Sequence, residues 1–247
     1  MLRNACARAS LASSGAAADG VPPLPPSPRR PAGKDASQVR ALEVACGTGR
    51  FATFFKDNWP SADLTLADLS PFYLAEARQN LRYWKSQRAA GAALPGVDRN
   101  GAAFLQAAAE ALPAPDASYD LVYSVYLFHE LPPAARRAAA GEMARVVKPG
   151  GMVVLTDSMQ LGDRPIFDAT MANFGDFNEP FYRGYVAEDL GALFVEAGLE
   201  CDTKVVGSTT KTLSFRKPLA AAGAAAEVAE ALEGLPAPPQ AGDHNQN

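Results

Sequence analysis

The stretch Glu43-Val-Ala-Cys-Gly-Thr-Gly-Arg-Phe-Ala sets two glycines, Gly47 and Gly49, between an apolar run and an amphipathic one. Glycine backbone there allows a tight turn and close approach of a ligand, and the first turn of a following helix offers unpaired N–H groups. Asp68 stands 19 residues after Gly49, where a carboxylate at the end of a second strand accepts hydrogen bonds from ribose hydroxyls. Alone the pattern is ambiguous, because Gly47-x-Gly-x-x-Ala52 also fits the relaxed dinucleotide fingerprint. Proton-transfer chemistry has fewer candidates. The chain has only two histidines, His129 and His244, and an unperturbed imidazole titrates at about 6.5, suited to a general base near neutrality. With three scattered cysteines, Cys6, Cys46 and Cys201, they leave little material for a metal centre, and none is expected.

Positioning those groups requires an ordered alternation of elements. Arg40-Ala-Leu-Glu-Val-Ala reads as a strand that stops at the glycine turn, with a helix from Arg50. A second strand is expected over 63–67, followed by a helix from Pro71 toward Arg88 with Ser70 as its cap. Residues 102–107 give a third strand, weak because it is alanine-rich, and 119–126 a clear fourth. Leu127-Phe-His-Glu-Leu-Pro-Pro then leads into a helix over 134–147, with Met143, Val146 and Val147 on its buried face. Met152 to Thr156 is a strong fifth strand. After an irregular stretch over 157–185, a single helix over 185–197 and two strands at 201–207 and 211–216 complete the pattern. The succession predicts an α/β fold, a doubly wound sheet with helices on both faces. Strand carboxyl ends converge in such a sheet, so Glu43, Gly47, Gly49, Asp68, Tyr126, His129 and Asp157 are candidates for one cleft.

The flanks have a different composition. Residues 1–40 carry six Lys/Arg against two Asp/Glu, and the remainder 17 against 25. The acidic remainder disfavours a broad nucleic-acid-binding face. The opening is rich in Ala, Ser and Arg without an acidic residue before Asp19, and six prolines fall between Val21 and Pro31. Residues 1–35 therefore read as a transit peptide with a Pro-rich disordered segment, which points to an organelle, chloroplast before mitochondrion, or to the cytoplasm if the segment is not a transit peptide. Residues 36–217 form the expected compact domain, and 218–247 a low-complexity tail. No run of 18 apolar residues predicts a membrane-spanning helix.

The ordered motifs resemble the class I S-adenosylmethionine-dependent methyltransferases, particularly the small-molecule group labelled type 11. Glu43-x-Ala-Cys-Gly-Thr-Gly is similar to the family's cofactor loop and Leu66-Ala-Asp-Leu-Ser to its second-strand signature. Ala109-Glu-Ala-Leu-Pro-Ala-Pro-Asp-Ala-Ser-Tyr-Asp-Leu-Val and Lys148-Pro-Gly-Gly-Met-Val-Val-Leu resemble the later signatures. The resemblance implies a mostly parallel seven-stranded sheet with an antiparallel final strand, and S-adenosyl-L-methionine as cofactor. It implies that Ala45, Cys46, Gly47 and Gly49 surround the amino-acid part of that cofactor, that Glu43 organises the loop or the amine, that Asp68 binds ribose and that Leu69 lies against adenine. The family often has Asp where this chain has Ala108, which leaves adenine recognition to backbone groups of Ala109 or Glu110.

The same resemblance puts the reacting end of the cofactor near Tyr126, His129 and Glu130, with a small-molecule methyl acceptor beside it. His129 is the candidate base, alongside Tyr126 and Asp157 as catalytic candidates. Glu130 is alternatively the start of a helix, and Asp157 a loop cap. In the segment after Asp157, Phe174, Phe177 and Phe181 are expected to cover an apolar acceptor or to anchor a surface loop. Asn178, Glu179, Tyr182 and Arg183 would orient its polar atoms. Two rivals remain open: an NAD-dependent oxidoreductase, which lacks a Tyr-x-x-x-Lys arrangement after the fourth strand, and a noncatalytic protein-interaction module on the same fold. Oligomeric partners are not specified by the sequence.

Overall fold

The structure, a computed structural model, describes residues 39–89, 102–171 and 179–219. The transit-like segment, the alanine-rich tail from 220, and Phe174, Phe177 and Asn178 lie outside the described residues. Seven strands form one sheet in the order β3-β2-β1-β4-β5-β7-β6. They are β1 (Arg40–Val44), β2 (Asp63–Asp68), β3 (Ala103–Gln106), β4 (Tyr119–Val125), β5 (Val147–Ser158), β6 (Glu200–Val206) and β7 (Thr210–Arg216). The first five are mutually parallel, and β7 runs antiparallel to both β5 and β6. The expected antiparallel final strand is therefore present. Between strands lie α1 (Arg50–Asn58), α2 (Pro71–Ala89), α3 (Pro133–Val146), the short α4 (Asp168–Met171), α5 (Tyr182–Ala187) and α6 (Leu190–Glu196).

Alternation along the strands feeds two cores, one on each face of the sheet. Leu42 and Val44 of β1, Val122 of β4 and Val153 and Leu155 of β5 pack with Met143 and Val146 of α3 and Phe194 of α6. Ala41 and Tyr123 point to the other face, with Leu64, Leu66 and, from α2, Leu74 and Ala77. Met143 and Val146 are fully buried on α3 as expected, whereas Val147, also buried, is not helical but opens β5, paired with Tyr119. The Ser70 hydroxyl accepts the Tyr73 N–H at 3.3 Å, capping α2 as expected.

Two expectations need correction. The single helix over 185–197 is two helices broken at Glu188-Asp189, because Asp189 takes an extended conformation and its carboxylate accepts the Ala192 N–H at 3.0 Å, starting α6 afresh. The segment from Asp157 is not wholly irregular. Its first two residues belong to β5, paired through Asp157↔Lys211 and Ser158↔Thr210, and a 3-10 turn at Pro165–Phe167 runs into α4. The antiparallel partner β7 extends β5 two residues beyond its own hydrophobic pattern.

Candidate active site

Parallel register sets the site's floor. Val44 pairs with Ala67 and with Ser124, and Val125 pairs with Thr156, so Asp68, Ala45, Tyr126 and Asp157 fall at the carboxyl ends of four adjacent strands. Both β1 and β4 end on a non-glycine residue in the left-handed region, Ala45 at φ 58° and Tyr126 at φ 57°. Such residues cost roughly 1–2 kcal/mol each and mark positions where the surroundings enforce an abrupt turn. Helices leave β1 and β4 toward opposite faces, so the two turns flank a crevice at the topological switch point.

The glycine loop is held by backbone and by carboxylate. The Cys46 N–H donates to Ala67 O at 3.0 Å and the Gly49 N–H to Cys46 O at 2.9 Å. Asp68 receives the Gly47 N–H on one oxygen and the Ser70 N–H on the other, each at 2.8 Å. Each carboxylate oxygen has two lone pairs, so both retain accepting capacity for a diol. The two glycines serve different ends. A Cβ on Gly49 would come within 2.8 Å of the Ala77 Cβ, so this residue lets α1 approach α2, whereas a Cβ on Gly47 would meet nothing within 4 Å. The space above Gly47 is open for a ligand.

Beneath the loop, Glu43 is 1% exposed and accepts the Tyr123 hydroxyl at 2.9 Å. The two are register partners across β1 and β4. Burial pushes the Glu43 carboxyl up to about 8, against the Tyr123 hydrogen bond and with the help of the nearby Asp68 charge. The buried Cys46 thiol is pushed up as well, by burial first and then by Glu43 and Asp68, which makes it a poor nucleophile. Leu69 is 68% exposed despite its apolar side chain, so it does not fill core and is available as a platform at the Asp68 end. Glu110 is exposed and Ala109 half-buried against the core. Their loop is fixed from α3 by Arg145, which donates to Leu112 O, Ala114 O and the carboxylates of Asp116 and Glu142.

At the other end of the crevice, Asp157 is fully buried and holds the His129 Nδ1 at 2.7 Å through one oxygen. Its other oxygen accepts the Phe128 N–H at 2.7 Å. One carboxylate thus orients the histidine and accepts the first N–H of the 3-10 turn Phe128–Glu130. Burial pulls the His129 imidazole down, but the hydrogen bond and charge of Asp157, joined by the charges of Glu130 and Glu179, outweigh it and hold the ring above its ordinary value. The Glu130 carboxylate lies 3.8 Å from His129 Nε2 and is largely exposed. Tyr182 and Tyr185 of α5 meet the His129 ring edge-on, at 6.2 and 6.1 Å between centroids, and Tyr126 does so at 6.2 Å. Burial raises the phenols of Tyr182 and Tyr185, so both stay protonated near neutrality and the imidazole is the group able to take a proton.

These residues border a cavity of about 550 Å³. Tyr126, His129, Glu179 and Tyr182 line it as the sequence suggested, and Met159, Met171, Thr209 and Thr210 complete the wall without any sequence signal to announce them. Arg183 is exposed and is not among the residues that line the cavity. Tyr126 also approaches Phe51 of α1, at 6.3 Å between rings, and so bridges the cavity and the glycine-loop helix.

Fold order, glycine loop and ribose-type carboxylate define an α/β protein that takes a nucleoside cofactor at the switch point of its sheet. Residues 41–151 match the family described as a methyltransferase domain. The chain is 35% identical over 118 residues to a demethylmenaquinone methyltransferase of Thermus thermophilus, a match spanning 48% of this chain and 46% of that protein. It is 32% identical over 123 residues to a malonyl-[acyl-carrier protein] O-methyltransferase of a Paenibacillus species, spanning 49% and 39%. It therefore spans less than half the length of these relatives. A SAM-dependent methyltransferase structure from Methanosarcina mazei superposes with a TM-score of 0.55 at 16% identity, covering 73% of this chain and 92% of that one, which shows the shared fold. The matched domain and the shared fold together support a class I S-adenosylmethionine-dependent methyltransferase.

The residues fit that family's cofactor on chemical grounds. Two carboxylates, Glu43 and Asp68, flank the loop, and Glu43 is buried directly beneath it. An ammonium above the loop would draw Glu43 into its ionised form and be attracted by it, whereas the pyrophosphate of NAD would find no countercharge in an acidic side chain placed there. Among the described residues no group of three or more His, Cys, Asp and Glu is arranged to hold a metal ion, and no helix is long and apolar enough to cross a membrane.

Proposed function

We propose that this protein transfers a methyl group from S-adenosylmethionine to a small, uncharged acceptor whose O–H, N–H or acidic C–H is relieved of its proton by His129. One observation carries the reading: the buried Asp157 fixes His129 Nδ1, leaving Nε2 free of that bond at a cavity that Tyr126 joins to the glycine-loop crevice. When bound, the cofactor supplies an electrophilic methyl. The chain's own work is alignment, water exclusion by the tyrosines and methionines of the cavity wall, and proton removal. Asp68 and Leu69 would hold the nucleoside end, and Glu43 would hold or organise the ammonium.

The acceptor's charge follows from the lining. Among the described residues the cavity contains one carboxylate, Glu179, and no Lys or Arg. A carboxylate acceptor such as the one implied by a malonyl O-methyltransferase would find no countercharge, while a hydroxyaromatic of the quinone-precursor type finds tyrosine and methionine walls. The test is calorimetry against S-adenosylmethionine, its demethylated product and NAD, followed by labelled-methyl transfer to fractionated metabolites. Binding of the first two but not NAD, with label in neutral phenolic fractions, is expected. Binding of NAD alone would overturn the cofactor reading, and label confined to carboxylic acids would overturn the acceptor class.

A further inference from the structure

We infer that Arg136 is a positioning residue that locks the turn presenting His129 to the helix roofing the cavity. Its guanidinium is 1% exposed, although it sits in an alanine-rich helix beside Arg137, whose side chain is 63% exposed. Buried guanidinium groups are costly unless every donor direction is used. Here Nε donates to Phe128 O at 2.8 Å, Nη2 to Phe181 O at 2.7 Å and Nη1 to Glu188 Oε2 at 2.7 Å, while the plane lies 5.6 Å from the Tyr185 ring centre. The three acceptors belong to three separate pieces: the 3-10 turn of His129, the residue entering α5 and the residue leaving it.

The consequence for His129 is specific. Asp157 holds the Phe128 N–H and Arg136 holds the Phe128 carbonyl, so the residue before His129 is pinned on both sides of its backbone. The fork also fixes both ends of α5, the element from which Tyr182 and Tyr185 close on the imidazole. Lysine cannot reproduce this. It keeps the charge but has one nitrogen in place of three diverging ones. Loosening the turn is expected to lengthen the His129–Asp157 bond, and with it to lower the affinity of His129 for its proton.

The inference rests on His129 being the proton acceptor, yet its test needs no acceptor molecule. With only two histidines in the chain, the ring signals of His129 and His244 can be followed by NMR titration and assigned by a His244→Ala variant. The groups facing the His129 ring are Asp157 of β5, Glu130 of its own turn, Glu179 ahead of α5 and the phenols of Tyr126, Tyr182 and Tyr185. Arg136→Lys should move the His129 midpoint down toward 6.5, with affinity for the demethylated cofactor kept within about twofold. Arg137→Lys, its exposed neighbour, should move neither. An unchanged His129 midpoint in Arg136→Lys, even with a lowered Tm, overturns the positioning role and leaves a structural one. Should Arg136→Lys fail to fold, Glu188→Ala removes one arm of the fork, with Glu196→Ala, at the partner of Arg137, as its charge-matched control. A shift in the first only supports the clamp; equal shifts or none overturn it. Turnover retained in His129→Asn would sink the base assignment while leaving the midpoint result standing.

Discussion

The two ends of the crevice are built in opposite ways. At the glycine loop, the key groups lie within two short segments, 43–49 and 66–70, and most of their bonds are backbone amides meeting a carboxylate or a carbonyl. At the cavity, His129, Asp157, Tyr182, Tyr185 and Arg136 come from the end of β4, β5, α5 and α3, joined by side-chain contacts across 28 residues or more in most cases. A cofactor end that makes local demands on backbone shape can be written as a motif. A substrate end assembled from distant side chains can be rewritten without touching the loop, which is where a shared cofactor and a particular acceptor part company.

The sharpest way to separate the two ends is to damage one and read the other. His129→Ala should reduce labelled-methyl transfer by roughly 10²–10⁴-fold while leaving calorimetric cofactor affinity unchanged; equal loss of both would mean that the ends are one cooperative unit. Asp68→Ala should do the reverse, weakening cofactor binding about 100-fold through two lost charge-assisted hydrogen bonds. Unchanged affinity would remove its ribose role.

Acidity offers a finer contrast. With Glu43 pushed up to about 8, a cationic cofactor that needs its carboxylate should bind up to about tenfold tighter per pH unit as pH rises toward that value. Binding should release as much as one proton, measurable by calorimetry in buffers of different ionisation enthalpy. The signs for the empty protein follow the same direction at both ends. Glu43 keeps its proton on folding between its ordinary 4.5 and about 8, so stability falls with pH across that window. His129, raised from 6.5, contributes stability that is complete below that value and lost as pH passes its higher folded midpoint. Tm scans should therefore decline from mildly acidic to mildly alkaline pH, and cofactor should flatten the part due to Glu43.

The smallest effects distinguish the two glycines. Gly49→Ala drives a methyl group against Ala77 and should cost roughly 2–4 kcal/mol of stability, read as denaturant midpoint. Gly47→Ala meets open space and should cost only about 1–2 kcal/mol from backbone strain, yet still weaken cofactor binding because its methyl enters the ligand's volume. Equal behaviour of the two would deny that Gly47 faces the ligand.

Legibility followed the same division. Strand and helix succession, the glycine turn and Asp68 were readable because periodicity, glycine and a carboxylate at a fixed spacing are local signals. The break within 185–197 leaves no local signal, because Asp189 resembles an ordinary polar residue until its carboxylate is seen to cap α6. Arg136 and Arg137 are adjacent and chemically identical, and nothing in an alanine-rich helix marks one as a buried fork and the other as a surface charge. Tyr123 was readable as strand core, but its hydrogen bond to Glu43 depends on the register between β1 and β4.

By itself, then, the sequence determined the alternation of elements, the turn that only small residues permit and the carboxylates placed beside it, since each is encoded within a few consecutive residues. Tertiary structure decided the rest: that Asp157 stands behind His129, that Arg136 ties the turn of His129 to α5, and that Met159, Met171 and the Thr209–Thr210 turn close the cavity. Those facts depend on which distant side chains share a volume once the sheet has closed, and proximity of that kind leaves no periodic trace in a chain.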